Sequence, residues 1–542
     1  GQGEVSSSVE NRGLVVDYNS NNAQGLVDSC ARCHSRRHRV SPDDAHGRPL
    51  LDDFVPSTLQ AGLYHPDGQI LDEVYVYGSF LQSKMYNSGV ACSDCHDAHS
   101  ARLKATGNSL CLQCHTTSPP ERFPGLQAKN YDLPEHHFHA QDSEGAQCAN
   151  CHMPAKTYMV VDPRRDHSFR IPRPDLSVKL DVPNACNQCH TGKSASWAAE
   201  ITAKWYGTAL RETPHYGEVF SAAQAGNPAA YDDLISLATE SGQPPIITAT
   251  ALELLQNYSP GESTVNALHT NMRNADPLVR LAATDALGQM PSVADLNSLL
   301  QRLDDPVRAV RMEAARILAP IPREHLDAQQ RLALEQALEE YRDTQLALAD
   351  TPEALLNLAV LDLALGDSAA AEAGYKRAIE IAPEFLPARV NLANLYNQGG
   401  RNMEAEQQFR AAIDYEPEAG ELYYSLGLLL AEEGRMTEAE NLLATAVRLL
   451  PGRARVQYNH ALLLQNLERR DEAEAAFKGA LTVAPADTDI IYALVILYSQ
   501  DERWQDALEY ARQLQSLAPD NPGVAKMLQQ IEQQISAAVT DQ

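Results

Sequence analysis

Ten cysteines and five histidines carry the chemistry of this chain, and their spacing is the same each time. Cys-x-x-Cys-His occurs at Cys30–His34, Cys92–His96, Cys111–His115, Cys148–His152 and Cys186–His190. Two thiols followed at once by an imidazole read as an attachment site for c-type haem: the cysteines bond to the porphyrin edge and the histidine binds iron from one face. The five motifs use all ten cysteines. None is left for a disulfide, a nucleophile or an all-cysteine zinc site, and zinc sites place their histidines at other spacings. The expected cofactor is therefore five haem c groups, held through Cys30, Cys33, Cys92, Cys95, Cys111, Cys114, Cys148, Cys151, Cys186 and Cys189. The proximal iron ligands are His34, His96, His115, His152 and His190.

A bis-histidine iron needs a second imidazole, and 13 of the 17 histidines lie within residues 34–190. After the five proximal ligands, His38, His46, His65, His99, His136, His137, His139 and His167 remain. The distal candidates are His65, His99, His136, His139 and His167. His99 lies three residues after His96, so on a helical turn it points the same way and suits a neighbouring haem better than its own. Three histidines in the four residues His136-His137-Phe138-His139 mark a ligand segment, with His139 and then His136 preferred. His167 lies between the last two motifs, among Arg164, Arg165, Arg170 and Arg173, which are read as partners for haem propionates. Six-coordinate iron has no open position for a substrate, so full histidine coordination implies an electron carrier with no catalytic residue.

The motifs CSDCHDAHS, GNSLCLQCH, HHFH, CANCHMP, the Asp166–Phe169 segment and PNACNQCH resemble the multihaem c-type cytochromes that include relatives of pentahaem nitrite reductase and of the nitrification electron carriers. The resemblance covers residues 30–206. It implies a distal role for the histidine after Cys-His-Met-Pro, which is His167. It also implies haem attachment outside the cytoplasmic membrane, hence a periplasmic or extracellular protein. Those nitrite reductases carry a lysine at the catalytic haem, and this chain has no Cys-x-x-Cys-Lys.

The elements that must position these residues fall into two kinds. Residues 1–29 are polar and read as a loosely held arm. Residues 30–217 form the haem segment, with little regular structure expected beyond short turns; Tyr75, Tyr77, Phe80 and Tyr86 are read as a wall against a porphyrin face. After residue 217 cysteine disappears, and alanine, leucine and glutamate recur with helical periodicity. Within residues 218–350, DPLVRLAATDALG at Asp276 and DPVRAVRMEAARIL at Asp305 resemble short HEAT-like repeats. Within residues 351–521, Pro383, Pro417, Pro451, Pro485 and Pro519 recur every 34 residues, the tetratricopeptide (TPR) period. Ala371, Ala405, Ala439, Ala473 and Ala507 share the close-approach position of those repeats. Tyr375, Phe409, Leu443, Phe477 and Ala511 share the packing position four residues later. Residues 522–542 supply a capping helix and tail. The fold class is mainly α: an irregular multihaem cytochrome segment followed by an α-solenoid of helix pairs.

The net charge of −28 is uneven. Residues 1–217 hold 20 Lys+Arg against 24 Asp+Glu, leaving 24 against 48 for the remainder. This acidity argues against nucleic acid and favours a basic surface. No apolar run reaches the length of a membrane span, and the chain from Gly1 is read as a mature form whose export signal has been removed. The expected partners are redox proteins, other cytochromes, or copies of the chain itself through the repeats. Two alternatives are a reductase or oxidase of a small nitrogen or sulfur compound at one open haem, and the subunit of an extracellular cytochrome filament.

Overall fold

The structure, a computed structural model, describes residues 23–43, 47–98, 100, 102–212, 214–290 and 295–540. It divides into two compact units, residues 1–348 and 349–542. The chain is mainly helical, with a regular repeat solenoid behind a less regular N-terminal part. No helix among the described residues is long and apolar enough to cross a membrane.

The first unit begins with helix Ala23–His34, which ends in the first haem motif. Residues 23–29 are therefore not part of a loose arm: Leu26 and Val27 are buried, and two apolar side chains on one helical face suffice to pin the segment. Residues 1–22 lie outside the described residues. Two small antiparallel hairpins follow, β1 (Arg37–Arg39) with β2 (Phe54–Pro56), and β3 (Ala155–Tyr158) with β4 (Asp162–Arg165). The remainder of the haem segment consists of short helices and turns. Among its fully buried side chains the largest are Leu50, Leu59 and Leu176.

The HEAT-like helices belong to the same unit and pack directly on residues 40–82. Helix Pro245–Leu255 is buried along nearly its whole length, as an apolar helix covered on both sides must be. The Thr250 hydroxyl accepts the Leu59 N–H at 3.1 Å, and the Thr58 hydroxyl donates to Glu253 at 2.5 Å. Farther along, the Arg308 N–H donates to Asp52 at 2.8 Å and the Thr344 hydroxyl donates to the Val40 carbonyl at 3.2 Å. Each Asp-Pro start has a physical role. Asp276 accepts the Leu278 N–H and caps helix Pro277–Gly288. Asp305 is buried, accepts the Val307 N–H, and forms a two-pronged ion pair with Arg280 of the preceding repeat at 2.8 and 2.9 Å.

The second unit is a run of antiparallel helix pairs from Pro352–Ala364 to Trp504–Leu517, closed by helix Pro522–Thr540. Ala371, Ala405, Ala439, Ala473 and Ala507 are fully buried where paired helices touch, and the packing positions Tyr375, Phe409, Leu443, Phe477 and Ala511 are at most 2% exposed. A second 34-residue periodicity runs along the surface. Arg401 bridges Glu372 and Glu404, Arg435 bridges Glu406 and Glu438, Arg469 bridges Glu440 and Glu472, and Arg503 bridges Glu474 and Asp506. Each arginine ties its own repeat to the one before. The hydrogen bond from Arg401 draws the Glu372 carboxyl down to about 2.

Candidate haem-attachment site

The five motifs fold into short helical turns. Cys92–Cys95, Cys148–His152 and Ala185–Cys189 are single turns, the first motif ends helix Ala23–His34, and the third closes the 3-10 stretch Gly107–Gln113. In three of them the histidine N–H bonds back to the first cysteine carbonyl: His96 to Cys92 at 2.9 Å, His115 to Cys111 at 3.0 Å and His190 to Cys186 at 2.9 Å. One helical turn thus brings positions i, i+3 and i+4 to one face, so both thiols and the imidazole meet a single flat ligand. Neighbouring polar residues hold the turns. Asn184 caps the fifth by accepting the Asn187 N–H, and Asn108 accepts the Cys148 N–H at 2.9 Å. Arg165 donates to the carbonyls of Ala149 and Met153 and to Asn150, all within the fourth turn. Arg32, inside the first motif, is buried in an ion pair with Asp53 at 2.7 Å.

Helix Ala23–His34 packs on the Cys92–Cys95 turn, which brings Cys30 beside Cys92. Cys95 and Cys114 are electrostatic neighbours, and burial is the main cause of the rise in the Cys95 thiol. The third turn packs on the fourth, with Cys111 beside Cys148. Burial pushes the Cys151 thiol up to about 11, with Cys186 adding to the rise. The first turn packs on the second, the third on the fourth and the fourth on the fifth, while Cys95 and Cys114 link the second and third as electrostatic neighbours. None of the ten cysteines is in a disulfide.

The distal candidates separate by position. The His96 and His167 rings have centres 6.4 Å apart and planes inclined by 25°. His136 and His152 stand 6.3 Å apart at 6°, and His139 and His190 stand 6.2 Å apart at 33°. Each pair joins an attachment histidine to a histidine from another segment. These are dimensions that a bis-imidazole iron requires: a metal lies about 2 Å from the ring nitrogen, itself about 1.1 Å from the ring centre, so opposed rings are centred about 6.2 Å apart. The residues present therefore fit haem c, with two thiols and one imidazole on each turn and a facing imidazole at three of them. Burial is the leading cause that lowers the pKa of His136 and His167, favouring the neutral, ligating form.

Other candidates fall elsewhere. His65 sits in a turn with Asp67, Lys156 and Arg170 as its charged neighbours, none of them an attachment residue. His99 and His46 lie outside the described residues. The four arginines read as propionate partners are engaged by protein groups instead. Arg164 pairs with Glu73 and Asp162, Arg165 holds the fourth turn, Arg170 lies against Asp67 and Asp166, and Arg173 pairs with Asp175. The carboxylates that pair with Arg164, Arg170 and Arg173 are close in sequence or folded back from residues 67–73.

Helix Ala195–Tyr206 has a role that the sequence reading overlooked. Its Trp205 stacks on Phe138 at 4.7 Å and 4°, its Trp197 lies 5.0 Å from the His190 ring, and its Tyr206 hydroxyl donates to the His136 carbonyl. The spacing of Trp197 and Trp205, eight residues apart on one helical face, is the signal that was present. Tyr131 stands edge-on to both His115 and His136, at 5.8 and 5.2 Å.

A sequence model of the doubled CXXCH motif matches residues 84–119, spanning the second and third turns. HEAT repeats match at 231–319, and tetratricopeptide repeats match at 352–385, 390–454 and 466–531. The doubled motif points to covalent c-type haem, and the repeats to protein interaction. No curated protein matches the chain. Similar solved structures include one titled as MamA, at 18% identity over 30% of this chain and 95% of that one, with a TM-score of 0.29. YrrB, titled a TPR protein with an unusual peptide-binding site, is 24% identical over 35% and 95% of the two chains, with a TM-score of 0.29. Pseudomonas aeruginosa PilF is 20% identical over 41% and 98%, with a TM-score of 0.31.

Proposed function

We propose that residues 30–190 hold five haem c groups in chain order, that the protein is an electron carrier without a catalytic residue of its own, and that the TPR unit docks it to partners. Haem c bound at the five turns supplies one-electron transfer. The observation that carries this reading is that five turns of one form, each with two thiols and an imidazole on one face, succeed one another in one unit, the first packed on the second, the third on the fourth and the fourth on the fifth. Haems attached to turns that pack on one another are close enough for electrons to pass between them. The short helical turns fix the thiols, and the paired histidines close off both sides of the iron position at three sites.

The HEAT-like helices hold residues 40–82 through the Thr58, Leu59, Asp52 and Val40 bonds, so they act as a scaffold for the haem segment. That leaves docking to the TPR unit. Residues 349–542 hold 15 Lys+Arg against 30 Asp+Glu, which suits a basic surface on a redox partner, another cytochrome or a second copy. Attachment of haem c outside the cytoplasmic membrane, as in c-type cytochromes generally, supports a periplasmic or extracellular location.

A second reading, reduction of a small nitrogen or sulfur compound, is confined to the His34 or His115 site, where no facing histidine ring is found among the described residues. Carbon monoxide and cyanide distinguish the two. A pure carrier shows unchanged optical spectra with both, whereas a reductase shows a ligand-sensitive haem and turns over nitrite, hydroxylamine or tetrathionate with a viologen donor.

A further inference from the structure

We propose that three irons have assigned axial pairs, His96 with His167, His152 with His136 and His190 with His139, so that the single segment 136–139 ligates two successive haems. This rests on the haem reading above and goes beyond it by naming each partner. Aromatic rings pack over about 4.5–7 Å in any protein, so separation alone does not make a ligand pair. The composition of the pairs does. In all three, one ring belongs to a Cys-x-x-Cys-His turn and the other comes from outside that turn, and no two attachment histidines are matched with each other.

Tautomers give an independent argument. His152 donates from Nδ1 to the Arg170 carbonyl at 2.9 Å, His167 from Nδ1 to the Arg165 carbonyl at 2.9 Å, and His139 from Nδ1 to the His137 carbonyl. A carbonyl only accepts, so in each neutral ring the proton is on Nδ1 and the Nε2 lone pair is free for a metal. One member of every pair is set in this way. His137 is set in the opposite sense: its Nδ1 accepts the His139 N–H at 3.2 Å, which leaves the proton on Nε2. That nitrogen is buried without a partner and has no lone pair to offer. His137 is therefore not a ligand, although it lies between two that are.

The backbone explains how neighbours serve different sites. Helix Pro134–His137 ends at Phe138, which adopts φ 56°, ψ 27°. This left-handed residue breaks the helix between His136 and His139. Phe138 is held there by its stack on Trp205. Without the break, i and i+3 would share a face and address one site.

The test uses the full-length holoprotein, with its covalent haem content read by intact mass. His136→Ala, His139→Ala and His167→Ala are each expected to convert one of the low-spin ferric signals to high spin in EPR, while His137→Ala converts none. His136→Met is expected to stay low-spin and to raise the potential of one haem, since thioether ligation favours the reduced state; it decides the matter if the alanine variant does not assemble. Because the three pairs have planes within 33° of parallel, their signals are expected to be rhombic, unlike the highly anisotropic ones of perpendicular imidazoles. Five haems by mass with every low-spin signal intact in His136→Ala and His139→Ala would overturn the pairing alone. A mass without covalent haem would overturn the reading on which it rests.

Discussion

At the scale of single residues, the sites depend on buried charges as much as on the ligands. Arg32 is 2% exposed and its partner Asp53 is fully buried, with Arg48 as a second cation at 2.5 Å. Removing one member of such a pair leaves the other desolvated and uncompensated. Arg32→Ala is therefore expected to destabilise the first unit by about 3 kcal/mol, read as a fall in denaturation midpoint. An unchanged midpoint would show that Arg48 alone satisfies Asp53. The attachment residues were legible because Cys-x-x-Cys-His is one contiguous turn: positions i, i+3 and i+4 share a face whatever surrounds them. The pairing was not legible, because His96 meets His167 across a long stretch of chain and only the fold brings them together. Exclusion of His137 depends on a hydrogen bond between backbone and ring that no spacing rule contains.

At the scale of elements, the TPR helices illustrate what a period can and cannot say. The 34-residue recurrence identified the buried alanines and the packing residues four positions later, since each repeat must bury the same face. The arginine ladder at 401, 435, 469 and 503 has the same period and was equally present in the sequence. It went unread because surface charges recur for many reasons, and exposed pairs contribute only about 0–1 kcal/mol each. The core positions matter far more. Phe477 is fully buried against Tyr458 at 5.9 Å between ring centres. Phe477→Ala is expected to cost about 3–5 kcal/mol. In a quasi-one-dimensional array the loss should fall on its own repeat and its neighbours. Hydrogen exchange should then quicken around residues 454–500 and remain slow around residues 368–412; uniform acceleration would contradict repeat-by-repeat stability. Helix Ala195–Tyr206 shows the converse limit: its helical pattern was plain, but its contact with the 136–139 segment required the structure.

At the scale of the whole molecule, the composition change near residue 217 suggested a break, yet the HEAT-like helices fold back onto the haem segment within one unit. Composition marks where cysteine ends, whereas the contacts of Thr58, Leu59 and Arg308 are made by ordinary residues. Glu253 lies in that junction, and burial pushes its carboxyl from 4.5 up to about 7. A carboxyl raised by folding leaves its stability fully present below about pH 4.5 and lost as pH rises through 7. Glu253→Gln, which keeps an acceptor for Thr58, should be more stable than the parent above pH 7 by roughly 3 kcal/mol. The difference should vanish below pH 4.5; a pH-independent difference would mean that the carboxyl is not perturbed. The central claim, five covalent haems on five successive turns, is tested most directly by the intact mass of the protein isolated from a host that attaches haem c. Five haem increments on the polypeptide mass are expected. Fewer than five, or a mass accounted for by zinc, would contradict it.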